Sequence, residues 1–437
     1  MPEAPTKVRH SILAATTLAA FLMYLDRVCL AWIVGSESFK ESLHVTRDEM
    51  DWVKGAFFWA YALAQVPAGW LSDRFGGRVL MTVYIASWSL FTLATSFSVG
   101  FVTLFIARLG CGLAEAGAYP ASSSFMTKWA QVESRGLASS IISMGGRIGG
   151  ALAPWLTATV ILSLGDWRWA GWLYGAFGIV VAGVFWTVYR EHPKLHPACN
   201  ASEVALLAEG RGDFSPTKAP PRRFPWVPVL QSGNLWLMNG YQFLTNIGWA
   251  FLILSLPDYL TKAVGLSEKE TGTISTLALT IGIASLPLGG MLTDYCTRKL
   301  GCRWGRRLPL ATTRFLAAGS YLIALTLDSP IPLAIAFGAV AFFADLALPA
   351  AWACMQDISG RHQAQLFGWS NMWGNFGAAI QPKLFAFVLL TFDDNHDYQE
   401  GILLCAVAFV LAGVLALGIN AQKQVVEETN LEATVNA

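Results

Sequence analysis

The sequence predicts an all-α integral membrane protein of about twelve transmembrane helices, arranged as two pseudo-symmetric six-helix bundles. Three observations lead there. The 437 residues are 54% hydrophobic and only 14% charged, with a mean hydropathy of +0.47, whereas soluble domains carry about 25% charged residues. Apolar runs of about 18 residues or more recur along the whole chain, long enough to cross a bilayer as helices. Short polar motifs that follow the second run return after the eighth, the mark of an internal repeat. This composition excludes a soluble enzyme, a nucleic-acid-binding protein and a disordered regulator. The net charge of +1 points to no basic or acidic macromolecular partner. A membrane barrel would instead show strands of about ten residues with alternating polarity.

The spans are expected near 11–35, 52–71, 79–98, 101–124, 136–163, 169–189, 231–256, 271–293, 309–327, 331–354, 362–391 and 401–420. The first carries Asp26-Arg27 and no small-residue cleavage site in the expected place, so it reads as a span and not a cleavable leader. Lys and Arg crowd alternate connections, among them Arg74, Arg78, Lys128, Arg135, Arg298, Arg303 and Arg361, and are sparse in the others. By the positive-inside rule both termini are cytoplasmic. The connection at 191–230 is polar and holds Pro216, Pro220, Pro221, Pro225 and Pro228. It reads as a cytoplasmic linker between an N-terminal bundle, 1–190, and a C-terminal bundle with its tail, 231–437.

The repeat is explicit. Gly69-Trp70-Leu71-Ser72-Asp73-Arg74-Phe75-Gly76-Gly77-Arg78 follows span 2, and Gly290-Met291-Leu292-Thr293-Asp294-Tyr295-Cys296-Thr297-Arg298 follows span 8. A second echo pairs Glu133-Ser134-Arg135-Gly136 with Asp357-Ile358-Ser359-Gly360-Arg361. Parallel repeats of this kind build rocking transporters, with a substrate site between them at mid-depth.

These residues resemble the major facilitator superfamily, whose signature loop G-x-L-x-D-R-x-G-x-R is met at every defined position by Gly69–Arg78. The resemblance implies a cytoplasmic gate at Asp73, Arg74, Arg78, Asp294, Arg298, Glu133 and Arg135. Asp73 would face the positive end of a helix, with Arg74 and Arg78 holding that geometry. In detail the chain is similar to the anion:cation symporter branch, which includes sialin, the vesicular glutamate transporters and bacterial hexuronate, galactonate and glucarate carriers. The residues are Tyr24-Leu25-Asp26-Arg27 in span 1, Arg108 to Ala121 in span 4, Leu256-Pro257-Asp258-Tyr259 ending span 7, and Ser370-Asn371 to Pro382 in span 11. Arg147 departs from the branch, which usually has Ala or Gln there. The short connection between spans 1 and 2 favours a bacterial source, hence the inner membrane.

Charge inside a bilayer is costly, so it faces a partner or a water-filled cavity. Arg27 and Arg147 are expected to bind a carboxylate, because a planar guanidinium matches it bidentately. Glu115, with Arg108 two turns away on the same helix face, is the expected proton carrier, and Asp26 a second candidate. A static ion pair holding helices together is the alternative for each. Tyr24, Tyr241, Gln242, Asn246, Ser370, Asn371 and Asn375 are the uncharged substrate-site candidates, since hydroxyl-rich ligands need donors and acceptors beside an aromatic platform. Arg314 and Lys383, near span ends, are expected to snorkel to the interface. Asp345 is left open between a protonated acid, a partner of Asn371 or Asn375, and a substrate ligand.

No Cys pairs as CxxC, and the six His lie in loops or at span ends, so no disulfide, metal site or cofactor is expected. The chain is expected to be no enzyme. It reads as a monomeric secondary active transporter in the lipid bilayer, coupling protons to a small organic anion, a sugar acid such as a hexuronate or aldonate, by alternating access. An organic-anion exchanger or uncoupled facilitator is the alternative.

Overall fold

The computed structural model describes residues 3–208, 224, 226–327, 329–392 and 398–425, without the side chains of 31, 47 and 268. Most of the linker, the loop acids Asp393, Asp394 and Asp397, and the last twelve residues therefore lie outside the described residues. Everything described is helix, turn or coil. In order come α1 (Val8–Gly35), α2 (Glu37–Ser42), α3 (Arg47–Phe75), α4 (Gly77–Thr95), α5 (Phe101–Glu115), α6 (Ala118–Trp129), α7 (Arg135–Leu164) and α8 (Arg168–Val188). Then follow α9 (Ala201–Ala208), α10 (Trp226–Gln231), α11 (Gly233–Leu254), α12 (Leu256–Lys262), α13 (Glu268–Ala324), α14 (Pro330–Leu346), α15 (Leu348–Ile358), α16 (Gln363–Phe392) and α17 (Gln399–Gly418).

Among the described residues nine helices are long and apolar enough to span a membrane, or ten with the bent pair α11/α12 taken as one. Two causes separate that count from the twelve expected. Helix α13 covers 57 residues and holds two expected spans, divided at Gly301, whose φ of 73° is left-handed and favours glycine. Helix α3 has the length, 29 residues, but its ends are polar.

Proline explains the broken spans. Pro120 and Pro349 lie at the starts of α6 and α15, where each ring clashes with the carbonyl four residues earlier and removes a helical donor. The breaks fall beside Glu115, the last residue of α5, and Asp345, next to last in α14. The α11/α12 pair bends by 49° just before Pro257. Breaks in lipid-embedded helices are tolerated where other groups take up the freed polar atoms.

The chain packs into two compact units. Unit 1 holds residues 1–132, 141–224 and 361–368; unit 2 holds 133–140, 225–360 and 369–437. Each therefore includes a short segment from the other half of the sequence. In unit 1 an apolar cluster joins Leu25, Cys29, Ile33, Phe39, Leu104 and Trp167. In unit 2 Phe251, Tyr259, Tyr321, Phe337, Phe385 and Phe409 form the corresponding core.

Glycines set the close crossings. A Cβ on Gly149 of α7 would overlap the carbonyl oxygen of Phe21 on α1, and one on Gly112 of α5 would overlap that of Phe57 on α3. Unit 2 repeats both: Gly377 of α16 lies on Phe243 of α11, and Gly289 of α13 on Leu346 of α14. Small residues of this sort allow backbones to approach in membranes.

Candidate functional site

In unit 1 α1 delivers Tyr24, Asp26 and Arg27, and α5 delivers Arg108, Cys111 and Glu115. The Arg27 guanidinium donates from Nε (3.1 Å) and Nη2 (2.8 Å) to one Glu115 oxygen. The pair is shielded, with Glu115 fully buried and Arg27 14% exposed. Three rings surround the same guanidinium: Tyr61 at 4.5 Å, Tyr24 at 4.8 Å and Phe57 at 5.2 Å from its carbon. An aromatic face against a desolvated cation contributes about 2 kcal/mol. The cage leaves the planar edge of the guanidinium for an anion, and Glu115 occupies that edge.

Asp26 is fully buried, and neither carboxylate oxygen has a hydrogen-bond partner among the described residues. An ionised carboxylate without partners is expensive in such a place. Arg108 is buried over the Phe57 ring at 4.6 Å, its Nη1 4.0 Å from Cys111 Sγ. The Cys111 thiol in turn points its hydrogen at the free Glu115 oxygen, 3.5 Å away. Arg27, Glu115, Asp26 and Arg108 thus form one buried group of two acids and two bases.

Arg147 is half-buried on α7. Its neighbour Gly146 lies against Tyr24 and the Tyr119 hydroxyl, and Gly150 against Tyr24. Tyr24 thereby has Arg27 on one side and α7 on the other.

In unit 2 the sequence candidates are more dispersed. Asn246 donates to the Gln242 carbonyl and Asn375 to the Asn371 carbonyl, both at 2.8 Å, so each amide bonds back to its own helix one turn earlier. Ser370 is fully buried, and its hydroxyl has no hydrogen-bond partner among the described residues. Tyr241 is already engaged: its hydroxyl accepts from Arg314 Nε at 3.0 Å. The expectation that Arg314 snorkels is corrected here. It is 1% exposed, donates 2.6 Å to the Ala344 carbonyl and lies over Phe409. Lys383 is exposed and Asp345 buried.

The loop residues form two matching sites. Asp73 accepts from the backbone N–H of Ala364 (3.1 Å) and Gln365 (3.0 Å), in the first turn of α16. Asp294 accepts from Gly136 and Leu137, both at 2.9 Å, in the first turn of α7. Helix N-termini present free donors and a positive dipole end, which suits a carboxylate. Gly69 and Gly290 each stand one turn before the Asp, and a Cβ on either would collide with the helix being capped. Arg74 and Arg78 do not meet Asp73. Arg74 is exposed over Trp70, and Arg78 donates to the Trp186 carbonyl at 3.0 and 2.8 Å. Arg298 and Glu133 are exposed. The acid facing Arg135 is Asp357, which also accepts from Arg306 Nε at 2.8 Å. Two arginines hold its carboxyl below its ordinary value despite burial. Sequence reasoning noticed Asp357 in the motif echo yet did not place it in the gate; the basic run Arg303-Trp304-Gly305-Arg306-Arg307 was the available signal.

The sequence pattern of the family described as Major Facilitator Superfamily matches residues 16–241 and again 239–433. The chain belongs to this superfamily. The probable galactarate/D-glucarate transporter GudP of Escherichia coli is 30% identical over 409 residues, 89% of each chain. The probable sulfoacetate transporter SauU of Cupriavidus necator is 27% identical over 425 residues, 95% of this chain and 93% of its own. The probable L-galactonate transporter of Escherichia coli is 24% identical over 413 residues, 94% and 88%. Among solved structures the proton:xylose symporter XylE matches with a TM-score of 0.72 at 13% identity, over 98% of both chains. The human organic anion transporter MFSD10 matches at 0.70 and 15% identity, over 93% and 99%. The fold is that of the major facilitators. The protein is a multi-pass membrane transporter of the anion:cation symporter-like branch and not an enzyme.

Proposed function

We propose that this transporter is a proton-coupled symporter of a small organic anion, a sugar acid, working by alternating access as a monomer in a bacterial inner membrane with both termini cytoplasmic. The observation that carries the reading is the Arg27–Glu115 pair. Glu115 fills the guanidinium edge that a substrate carboxylate would need. Protonating Glu115 cancels its charge and frees Arg27 for a substrate carboxylate, so loading the anion and loading the proton are one event. Asp26, buried beside the pair, is the second site at which a proton resides. The sugar-acid and sulfonate names of the relatives support the substrate class. Asn246, Asn371, Asn375, Gln242 and Ser370 would address the substrate's hydroxyls. The two capped helix starts would form the cytoplasmic gate.

Uptake into proteoliposomes tests this. Wild type should accumulate a sugar acid after an inward proton gradient is imposed. Arg27→Ala should lose a charge-assisted bond of about 1.5–3 kcal/mol, roughly a 10- to 150-fold loss of affinity at about 1.4 kcal/mol per tenfold. Uptake indifferent to the proton gradient, with exchange intact, would favour the exchanger or facilitator.

A further inference from the structure

We infer that the Thr92 hydroxyl and the Cys111 thiol form a proton relay between the two buried acids of unit 1, Asp26 and Glu115; this rests on the proton-coupled reading above. The argument begins with access. Asp26 is fully buried, and neither of its oxygens makes a hydrogen bond of ordinary geometry among the described residues. An acid that takes up and releases a proton in every transport cycle needs a group to hand it to. From α4 the Thr92 hydroxyl and the Trp88 indole face its carboxyl, and from α5 Arg108 and Glu115 lie near it. Tyr174 of α8 is the remaining neighbour, and its hydroxyl shares a bond with Thr157 at 3.1 Å.

Chemistry narrows these. A relay group must accept one proton as it donates another. An indole N–H only donates, and a guanidinium has no acceptor and keeps its charge. The Cys29 thiol is turned to the Asp26 backbone carbonyl, 3.1 Å away. A hydroxyl and a thiol both donate and accept, and here they stand in line. Thr92 Oγ1 is 4.0 Å from Cys111 Sγ, and Cys111 Sγ is 3.5 Å from Glu115 Oε1. Cys111 and Glu115 are one turn apart on the same face of α5. Arg27 holds the other Glu115 oxygen, Oε2, so the oxygen that meets the thiol is the one left for a proton. Transfer bonds of this kind are often long at rest and shorten in the loaded state.

The transfer balances without a charged intermediate. The Asp26 acid passes its proton to Thr92 Oγ1, the Thr92 proton passes to Cys111 Sγ, and the Cys111 proton passes to Glu115 Oε1. Asp26 ends as the carboxylate and Glu115 as the acid, while the hydroxyl and the thiol are each restored. The reverse sequence reloads Asp26. Glu115, paired to the partly exposed Arg27, is then the port through which Asp26 exchanges its proton.

Two uptake modes in proteoliposomes separate this from a packing role, with labelled galactarate as the probe. Counterflow at equal pH on both sides exchanges substrate without emptying Asp26, whereas uptake driven by a pH jump requires its proton to leave in every cycle. Cys111→Ala and Thr92→Val should each slow pH-driven uptake by at least about tenfold, with counterflow near the wild-type rate. Cys111→Ser should recover most of the driven rate, because a hydroxyl also accepts and donates. An equal loss in both modes, no loss in either, or Cys111→Ser no better than Cys111→Ala would overturn the relay and leave the proton-coupled reading standing. Wild type that takes up no galactarate, or exchanges it and ignores the pH jump, would remove the reading beneath this inference and the inference with it.

Discussion

At the scale of single residues, the site is governed by which buried polar groups are answered and which are not. Glu115 is answered twice by Arg27, whereas neither oxygen of the buried Asp26 makes a hydrogen bond of ordinary geometry among the described residues. The sequence showed both acids at mid-span but could not say which would hold the arginine, since that depends on α5 turning Glu115 toward α1. Glu115→Gln mimics the protonated acid. It should abolish accumulation driven by a pH jump while substrate counterflow continues; accumulation that persists would shift the obligatory proton site to Asp26. Arg314 is the opposite case. The sequence placed it close enough to a span end to snorkel, and only the tertiary packing of Tyr241, Ala344 and Phe409 buries it. Tyr241→Phe removes the acceptor of Arg314 Nε while keeping the ring. A buried donor left unmade costs about 1–3 kcal/mol, so the variant should melt several degrees lower, and an unchanged melting temperature would show that the bond contributes nothing.

At the scale of elements, helix type and extent were readable from apolar runs, since a span must satisfy its own backbone. The breaks were less so. Pro120 and Pro349 were visible, but a proline in a long apolar run kinks or ends a helix depending on what neighbouring side chains offer the freed carbonyls. The crossings were partly readable: the small residues at 145, 146, 149 and 150 announce a close approach, though not its partner. That partner is α1, and Gly149 is the tightest point. Its Cβ would collide with backbone, the Phe21 carbonyl, and not with a side chain that could rotate away. Gly149→Ala should therefore cost more than the about 1–3 kcal/mol typical of overpacking. The check is the melting temperature of the purified protein beside that of Gly183→Ala, where an added methyl meets nothing. Equal melting temperatures would mean that α1 and α7 are not held at this distance.

At the scale of the whole molecule, the repeat was the most legible feature, because each unit spells the same device: a glycine, an aspartate one turn on, and a helix start that the aspartate caps. What the motif could not reveal was the identity of the capped helix, which is set by long-range packing. Arg74 and Arg78 show the limit of motif reading, since they bind locally to Trp70 and Trp186 and leave the cap to backbone N–H groups. The Asp73 cap also makes a pH prediction. Burial pushes its carboxyl up to about 7, while the N–H bonds from Gln365 and Ala364 and the nearby Lys128 pull the other way. Released into water the same acid would titrate near its ordinary value of about 3.9. The capped arrangement therefore binds a proton that the released one does not, and its stability is greatest in acid and declines as pH rises from about 4 through about 7. Asp73→Asn has no such proton. The melting temperature of wild type relative to Asp73→Asn should fall between about pH 4 and about pH 7 and level off above that. In transport assays the same variant should be slowed, because a carboxamide oxygen can serve only one of the two N–H groups well and turns its own donors toward the other. A pH-independent difference in melting would mean that Asp73 stays ionised in its cap, with the two N–H bonds outweighing burial; an unchanged transport rate would mean that the cap is no part of the gate.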